Sequence, residues 1–395
     1  MLKPHSIFLM KSVWAGKEYN SVIRELKRFR KMDTHFDSGK ILGSMCTRPH
    51  PVAIKAFEMF IETNLGDPAL FPGVREIEER LIEAMKNLVS APSNATGLVV
   101  SGGTEGNINA IRIAKILSKK RKIILPEGAH FSFHKVASLM NVDLKFVKLD
   151  ENYCTDVNEL ETVIDGDTAS VVAIAGSTEL GTIDDIPSIS KICREKNVFL
   201  HVDAAFGGFI IPFLKDLGYS LPDFDFKLEG VCTVQIDSHK MGCSVIPMGM
   251  LLVRDKKWVN SISVESPYVS TSRQATILGT RPGASVAAAY AVIKHLGKKG
   301  YKEIVKKCMQ LTKYTAKKLE EIGLELPIKP TLNVVGVKLK NPKKVYEELA
   351  KLGWRVAKLE RISCIRLVIM PHVTKNAIDK FIPDLEKICK KTGEI

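Results

Sequence analysis

Between residues 97 and 253, short runs rich in Val, Ile and Leu alternate with stretches long enough for an amphipathic helix, and this alternation constrains the fold more than any other feature. Apolar runs at 98–100, 122–126, 144–149, 171–175, 199–202, 231–236 and 250–253 read as strands. Helices are expected at 107–117 and from Ser132, Val157 and Ile186. A strand–helix succession of this kind predicts an α/β fold: a largely parallel sheet with helices on both faces. Asp223-Phe224-Asp225-Phe226 interrupts it as a loop with an aromatic anchor.

Flanking this region the pattern changes. Upstream, 17–32, 51–64 and 74–90 read as helices, the second ended by Asn64-Leu65-Gly66-Asp67-Pro68. Downstream, a helix from Gly283 to about 296 leads into helix 301–322, strand 332–337, helix 343–352, strand 364–370 and a last helix from Lys375. That order describes a smaller α+β unit. The expected division is an N-terminal helical segment (1–50), a large α/β domain (51–283), and a linking helix with a small C-terminal α+β domain (284–395). A chain of 395 residues can bury cores of this size.

Composition excludes several classes. The run 7–10 is too short for a signal-peptide core, no apolar run approaches a membrane span, and the cytoplasm is the expected location. Eight cysteines are scattered without a C-x-x-C pair or a histidine cluster at zinc spacing, so no metal is expected. The formal charge of +14 raises nucleic acid as a partner. From Lys298 onward 23 basic residues face 11 acidic ones, but Lys306, Lys307, Lys313, Lys317 and Lys318 recur between apolar residues at helical spacing. A solvated helix face is the expected reading and an acidic partner surface the minor one, with nucleic acid not the expected partner.

Three features carry chemistry. The run 231–236 is apolar and β-branched, and the chain then delivers Lys240 among small residues in Asp237-Ser238-His239-Lys240-Met241-Gly242. Most lysines are solvated charges, but one in a desolvated pocket keeps enough neutral amine to attack an aldehyde. Asp203 closes the apolar run 198–202 and so belongs at a strand's carboxyl end, where open α/β sheets bind ligands. Ser101-Gly102-Gly103-Thr104-Glu105-Gly106-Asn107 is a glycine turn between strand and helix, suited to an anion. Its spacing fits neither G-x-G-x-x-G nor the P-loop, which argues against NAD and ATP. Lysine, carboxylate and phosphate turn together describe a site for pyridoxal 5'-phosphate (PLP). Arg366, inside the final apolar strand, lies either on a solvated face or toward a carboxylate in the interdomain cleft.

The glycine turn, Glu127-Gly128-Ala129-His130-Phe131-Ser132, His201-Val202-Asp203-Ala204-Ala205 and Ser238-His239-Lys240, in this order, resemble the PLP-dependent group II amino-acid decarboxylases of the aspartate-aminotransferase fold (fold type I). Asn64-Leu65-Gly66-Asp67-Pro68, Thr178-Glu179-Leu180-Gly181-Thr182 and the stretch from Arg273 to Arg281 are similar to the archaeal L-tyrosine/L-aspartate decarboxylases among them. The resemblance implies that Lys240 holds the cofactor as a Schiff base, Asp203 pairs with its pyridine nitrogen, and His130 stacks on its ring. It implies phosphate contacts from Ser101, Gly102, Gly103 and Thr104 with His239 close by, and places Ala205 and Thr178 in the cofactor site. Thr280 would reach the phosphate of a neighbouring subunit, which implies an obligate homodimer. Tyr268 would protonate the product carbanion, and Arg366 would bind a substrate carboxylate. Gly106 stands where alanine is common in the family and Ser238 where proline or alanine is, departures expected to alter cofactor packing only slightly. Met248 and Met250, where small residues are usual, either narrow a pocket or fill core.

The implied reaction is decarboxylation of an L-amino acid: L-aspartate to β-alanine for coenzyme A, or L-tyrosine to tyramine for methanofuran. Tyrosine needs an apolar slot with one hydrogen-bond partner, aspartate a cation for its distal carboxylate. The general need for coenzyme A favours aspartate. Alternatives are an L-glutamate decarboxylase, a PLP carbon–carbon lyase of the same fold, a tRNA-dependent PLP enzyme, and a non-catalytic binding protein. The stretches 178–182 and 273–281 argue against the tRNA-dependent reading.

Overall fold

The computed structural model describes residues 13–67, 69–271 and 273–395. The segment 7–10, read above as too short for a signal core, lies outside them. Seven strands form the central sheet: β1 (Thr96–Val100), β2 (Lys122–Pro126), β3 (Asp143–Val147), β4 (Thr168–Ile174), β5 (Phe199–Asp203), β6 (Val231–Ile236) and β7 (Gly249–Val253). Their order is β1-β7-β6-β5-β4-β2-β3. Only β7 runs against its neighbours. Every residue of β4 and β7 is buried, so both faces are covered and the strands read as continuous apolar runs.

Two short strands, β8 (Val264–Glu265) and β9 (Arg273–Gln274), pair as a hairpin. Beyond them, β10 (Val334–Lys338), β11 (Ala357–Leu359) and β12 (Cys364–Val368) form a second sheet in the order β10-β12-β11. The aromatic anchor is as expected, with Phe224 and Phe226 buried.

Three details depart from the sequence reading. The helix expected over 51–64 is Pro51–Met59; Phe60 closes it on the Ala56 carbonyl, and Asn64 instead bridges to Pro282. The helix expected from Asn107 starts at Gly103, so the glycines are its first turn rather than a loop before it. As expected, two helices flank residue 297: the non-helical Gly297 (φ 54°, ψ −173°) separates the one that starts at Gly283 from the one that ends at Glu321. The edge strand β11 was not expected because Ala357-Lys358-Leu359 has no apolar run; pairing with the fully buried β12 orders it. Lys306, Lys307, Lys313 and Lys317 are exposed, in line with a solvated helix face.

Candidate active site

Because β1, β2, β4, β5 and β6 run in one direction, their carboxyl ends open on one edge of the sheet. The segments leaving them line a cleft of about 350 Å³: Ser101 to Thr104 from β1, Gly128 and His130 from β2, Gly176 and Thr178 from β4, Asp203, Ala205 and Phe206 from β5, and Asp237, His239 and Lys240 from β6. Open α/β sheets take ligands at this edge. A larger hollow of about 1040 Å³ lies between the 36–51 and 371–384 segments, and none of these residues line it. The chemistry is concentrated in the smaller cleft.

At one end of the cleft the helix Gly103–Ser118 presents its amino terminus. Gly102 turns the chain into it at φ 150°, and a Cβ there would lie 2.9 Å from the His239 ring. Only glycine lets the backbone pass this close, which leaves the free N–H groups of the first turn facing the cleft. The helix dipole adds partial positive charge there. His239 is held in place by donating from Nδ1 to the Met248 carbonyl, 2.7 Å away.

Asp203 is fixed by its neighbours. One carboxylate oxygen accepts from the Ala205 N–H (3.1 Å) and the other from Asn107 Nδ2 (2.9 Å). With its amide nitrogen on the carboxylate and on Ser132 Oγ, Asn107 turns Oδ1 to His201 Nε2, 2.9 Å away. His201 Nε2 therefore carries the proton, and Nδ1 accepts from the Thr233 hydroxyl (2.9 Å). Full burial pushes this imidazole down to about 4, so it stays neutral and the chain of hydrogen bonds keeps one direction. Asp203 is thus a carboxylate in a defined orientation at the cleft wall.

Lys240 follows the neighbouring strand β6, its Nζ 3.2 Å from Asp237 Oδ2. Asp237 is 2% exposed, and its other oxygen accepts from Gln235 Nε2 (2.9 Å). His130 is half-buried between these groups; burial lowers its imidazole below the usual value, while the Asp203 and Asp237 carboxylates oppose that shift.

Ten residues singled out from the sequence come together here: Ser101, Gly102, Gly103, Thr104, His130, Thr178, Asp203, Ala205, His239 and Lys240. Three do not. Tyr268 is 88% exposed on the loop between β8 and β9. Thr280 is exposed, beside Gly66, on a surface where Gln274 donates to the Gly66 carbonyl and the Leu65 N–H to the Arg281 carbonyl. Arg366 is not solvated and, among the described residues, is paired with no carboxylate. Buried under Thr178, it donates to the backbone carbonyls of Thr178 and Gly43, and burial lowers it to about 10. Two residues were missed, Asn107 and Asp237, although both lie inside quoted motifs. Position 237, three before the lysine across a turn, was the available signal.

The departures also resolve. A Cβ on Gly106 would meet Gln235 Oε1 at 1.7 Å, so this glycine makes room for Gln235, and it is not among the residues that line the cleft. Met248 and Met250 are 1% and 0% exposed and belong to the core.

A lysine amine, an oriented carboxylate and an anion-binding helix terminus around one cleft define a fold-type I PLP enzyme. The residues present fit that cofactor: the N–H groups at the Gly102–Gly103 turn suit a phosphate, the Lys240 amine an aldehyde, and the Asp203 carboxylate a protonated ring nitrogen. Residues 55–340 match the model of the pyridoxal-dependent decarboxylase conserved domain. A Pyrococcus horikoshii L-aspartate/L-glutamate decarboxylase is 47% identical over 384 residues, covering 96% of this chain and all of the relative. A Methanosphaera stadtmanae protein named probable L-tyrosine/L-aspartate decarboxylase is 44% identical over 95% of this chain and 98% of its own length. Burkholderia pseudomallei sphingosine-1-phosphate lyase shares the fold, with a TM-score of 0.88 at 24% identity over 95% of this chain and 91% of that one. The chain belongs to the PLP-dependent decarboxylase family. It is a PLP-dependent amino-acid decarboxylase, and none of its described helices is long and apolar enough to cross a membrane.

Proposed function

We propose that the enzyme removes the α-carboxylate of L-aspartate to form β-alanine, the precursor for coenzyme A. The observation that carries this reading is Arg366. Its guanidinium is buried behind Thr178 in the cleft wall, and among the described residues no carboxylate lies within 4.0 Å of it. Glu179 acts on it only from beyond that range and the Arg366 Nε has no partner among those residues, so a distal carboxylate of a dicarboxylic substrate would supply a direct one. The aspartate-named relatives agree with this choice.

In this reading Lys240 anchors the cofactor, and Ser101, Gly102, Gly103, Thr104 and His239 bind its phosphate. Thr178 and Ala205 line its rim, His130 covers the ring, and Asp203 keeps the ring nitrogen protonated. PLP, when bound, supplies the electron sink. The protein's contribution is orientation, because the bond held perpendicular to the ring is the one that breaks. Tyr268 delivers the proton to the α-carbon, and Thr280 contacts the phosphate of a second subunit. The Thr280 contact needs a homodimer, with residues 51–283 as the cofactor domain, 284–395 as the small domain, and a cytoplasmic location. The dimer is supported by helix Tyr19–Arg30, which buries none of its residues and exposes Tyr19, Val22, Leu26 and Phe29.

Product analysis of the PLP-loaded protein given L-aspartate, L-tyrosine or L-glutamate separately tests the assignment. β-Alanine as the main product is expected. The tyrosine name of the Methanosphaera relative makes tyramine, and hence methanofuran synthesis, the second outcome. 4-Aminobutyrate would make it a glutamate decarboxylase, and no amine at all would overturn the reading.

A further inference from the structure

Cofactor loading poses a problem that the cleft itself answers. Lys240 is 17% exposed at its side chain and must lose a proton before its amine can attack an aldehyde. The same cleft must accept a phosphate next to Asp237, whose Oδ2 lies 3.2 Å from where a Cβ of Gly103 would stand. A buried carboxylate beside a phosphate is a repulsive pair of anions.

We propose that Asp237 is the proton acceptor for cofactor attachment: it takes the Lys240 proton and, once neutral, sits against the phosphate as a hydrogen-bond donor. The contact is direct, Nζ to Oδ2 at 3.2 Å. An N–H bond of the Lys240 ammonium breaks and an O–H bond forms on Asp237. The freed amine then forms a C=N bond to the aldehyde carbon, and the aldehyde oxygen leaves as water. Ammonium, carboxylate and aldehyde thus become imine, carboxylic acid and water, with charge conserved and nothing oxidised or reduced. One transfer activates the lysine and removes the anion that would oppose the phosphate.

The surroundings of Asp237 support this direction. Its Oδ1 is held by Gln235 Nε2, so the carboxylate cannot swing away. His239 Nε2 is 3.8 Å from Oδ2, beyond hydrogen-bond range, which leaves Lys240 as the nearest proton source. His130 and Cys46 also face this pair; burial pushes the His130 imidazole down and the Cys46 thiol up, favouring their uncharged forms.

The inference rests on PLP attaching at Lys240, and two separate readouts on the cofactor-stripped protein test it. The first is the rate of covalent attachment of PLP, followed by absorbance between pH 6 and 8.5. The second is the affinity for 4'-deoxypyridoxine 5'-phosphate, which has the phosphate but no aldehyde. Asp237→Asn is expected to slow attachment at least tenfold and to make its rate rise about tenfold per pH unit, since only solvent can then deprotonate Lys240. The wild-type profile should be flatter, and the analogue should bind the variant equally or more tightly. An unchanged rate and profile, or analogue affinity that falls in step with the rate, would overturn the proposal. Should the variant not fold, a wild-type rate rising tenfold per pH unit would overturn it as well. Labelling at a residue other than Lys240 would instead refute the attachment site.

Discussion

The inner wall of the cleft and the outer stretch 264–281 belong to one site by resemblance, yet their side chains are held in opposite ways. At the inner wall, Asp203, Asn107, His201 and Thr233 form a buried chain in which each polar atom has a partner of the right kind. In the outer stretch the strands are two residues long, Tyr268 is 88% exposed and Thr280 faces solvent. Strand ends orient their side chains within a single chain, whereas an exposed hairpin is oriented only by what packs on it. Attachment of the cofactor should therefore depend first on the inner wall, and the choice of product on Tyr268 in the outer stretch.

The most severe way to probe that division is Lys240→Ala, expected to remove covalent cofactor and lower amine formation on the order of a thousandfold or more; retained Schiff-base absorbance would contradict it. Next is Tyr268→Phe. Losing a proton donor costs roughly a hundredfold or more in turnover. Cofactor affinity should stay intact while product shifts from the amine toward an aldehyde, and an unchanged product would remove Tyr268 from the chemistry. Asn107→Ala strips one donor from Asp203 and the acceptor from His201. It should weaken PLP affinity and cost about 1–3 kcal/mol of stability by thermal unfolding, without changing which product forms.

Smallest is Gly106→Ala, where the new methyl meets Gln235 Oε1. A cost of about 1–3 kcal/mol is expected from overpacking. Adding Gln235→Ala should recover most of it, a coupling that a double-mutant cycle reads directly. Independent, additive effects would show that the two positions do not share space.

The inner wall was legible because its residues sit at strand ends that hydrophobic patterning locates. Lys240 and Asp203 follow directly from the runs 231–236 and 198–202, and the glycine turn from its place after 98–100. Asn107 and Asp237 stood in the same motifs, but their roles depend on hydrogen bonds to residues 94–96 positions away or across a turn, which periodicity does not encode. The start of the helix at Gly103 was obscured because glycine is a poor helix former away from an anion-binding first turn. Arg366 shows a different limit. Its place in β12 was readable, but its partners, the carbonyls of Thr178 and Gly43, come from distant segments with no charge to advertise them.

The most direct test of the site as a whole is borohydride reduction of the PLP-loaded protein followed by peptide mapping. The expected result is a single pyridoxyl-modified peptide carrying the label on Lys240, lost when Asp203→Ala prevents stable cofactor binding. A label on any other lysine, or no label on protein that has taken up PLP, would contradict the site assembled here at the carboxyl ends of β1, β5 and β6.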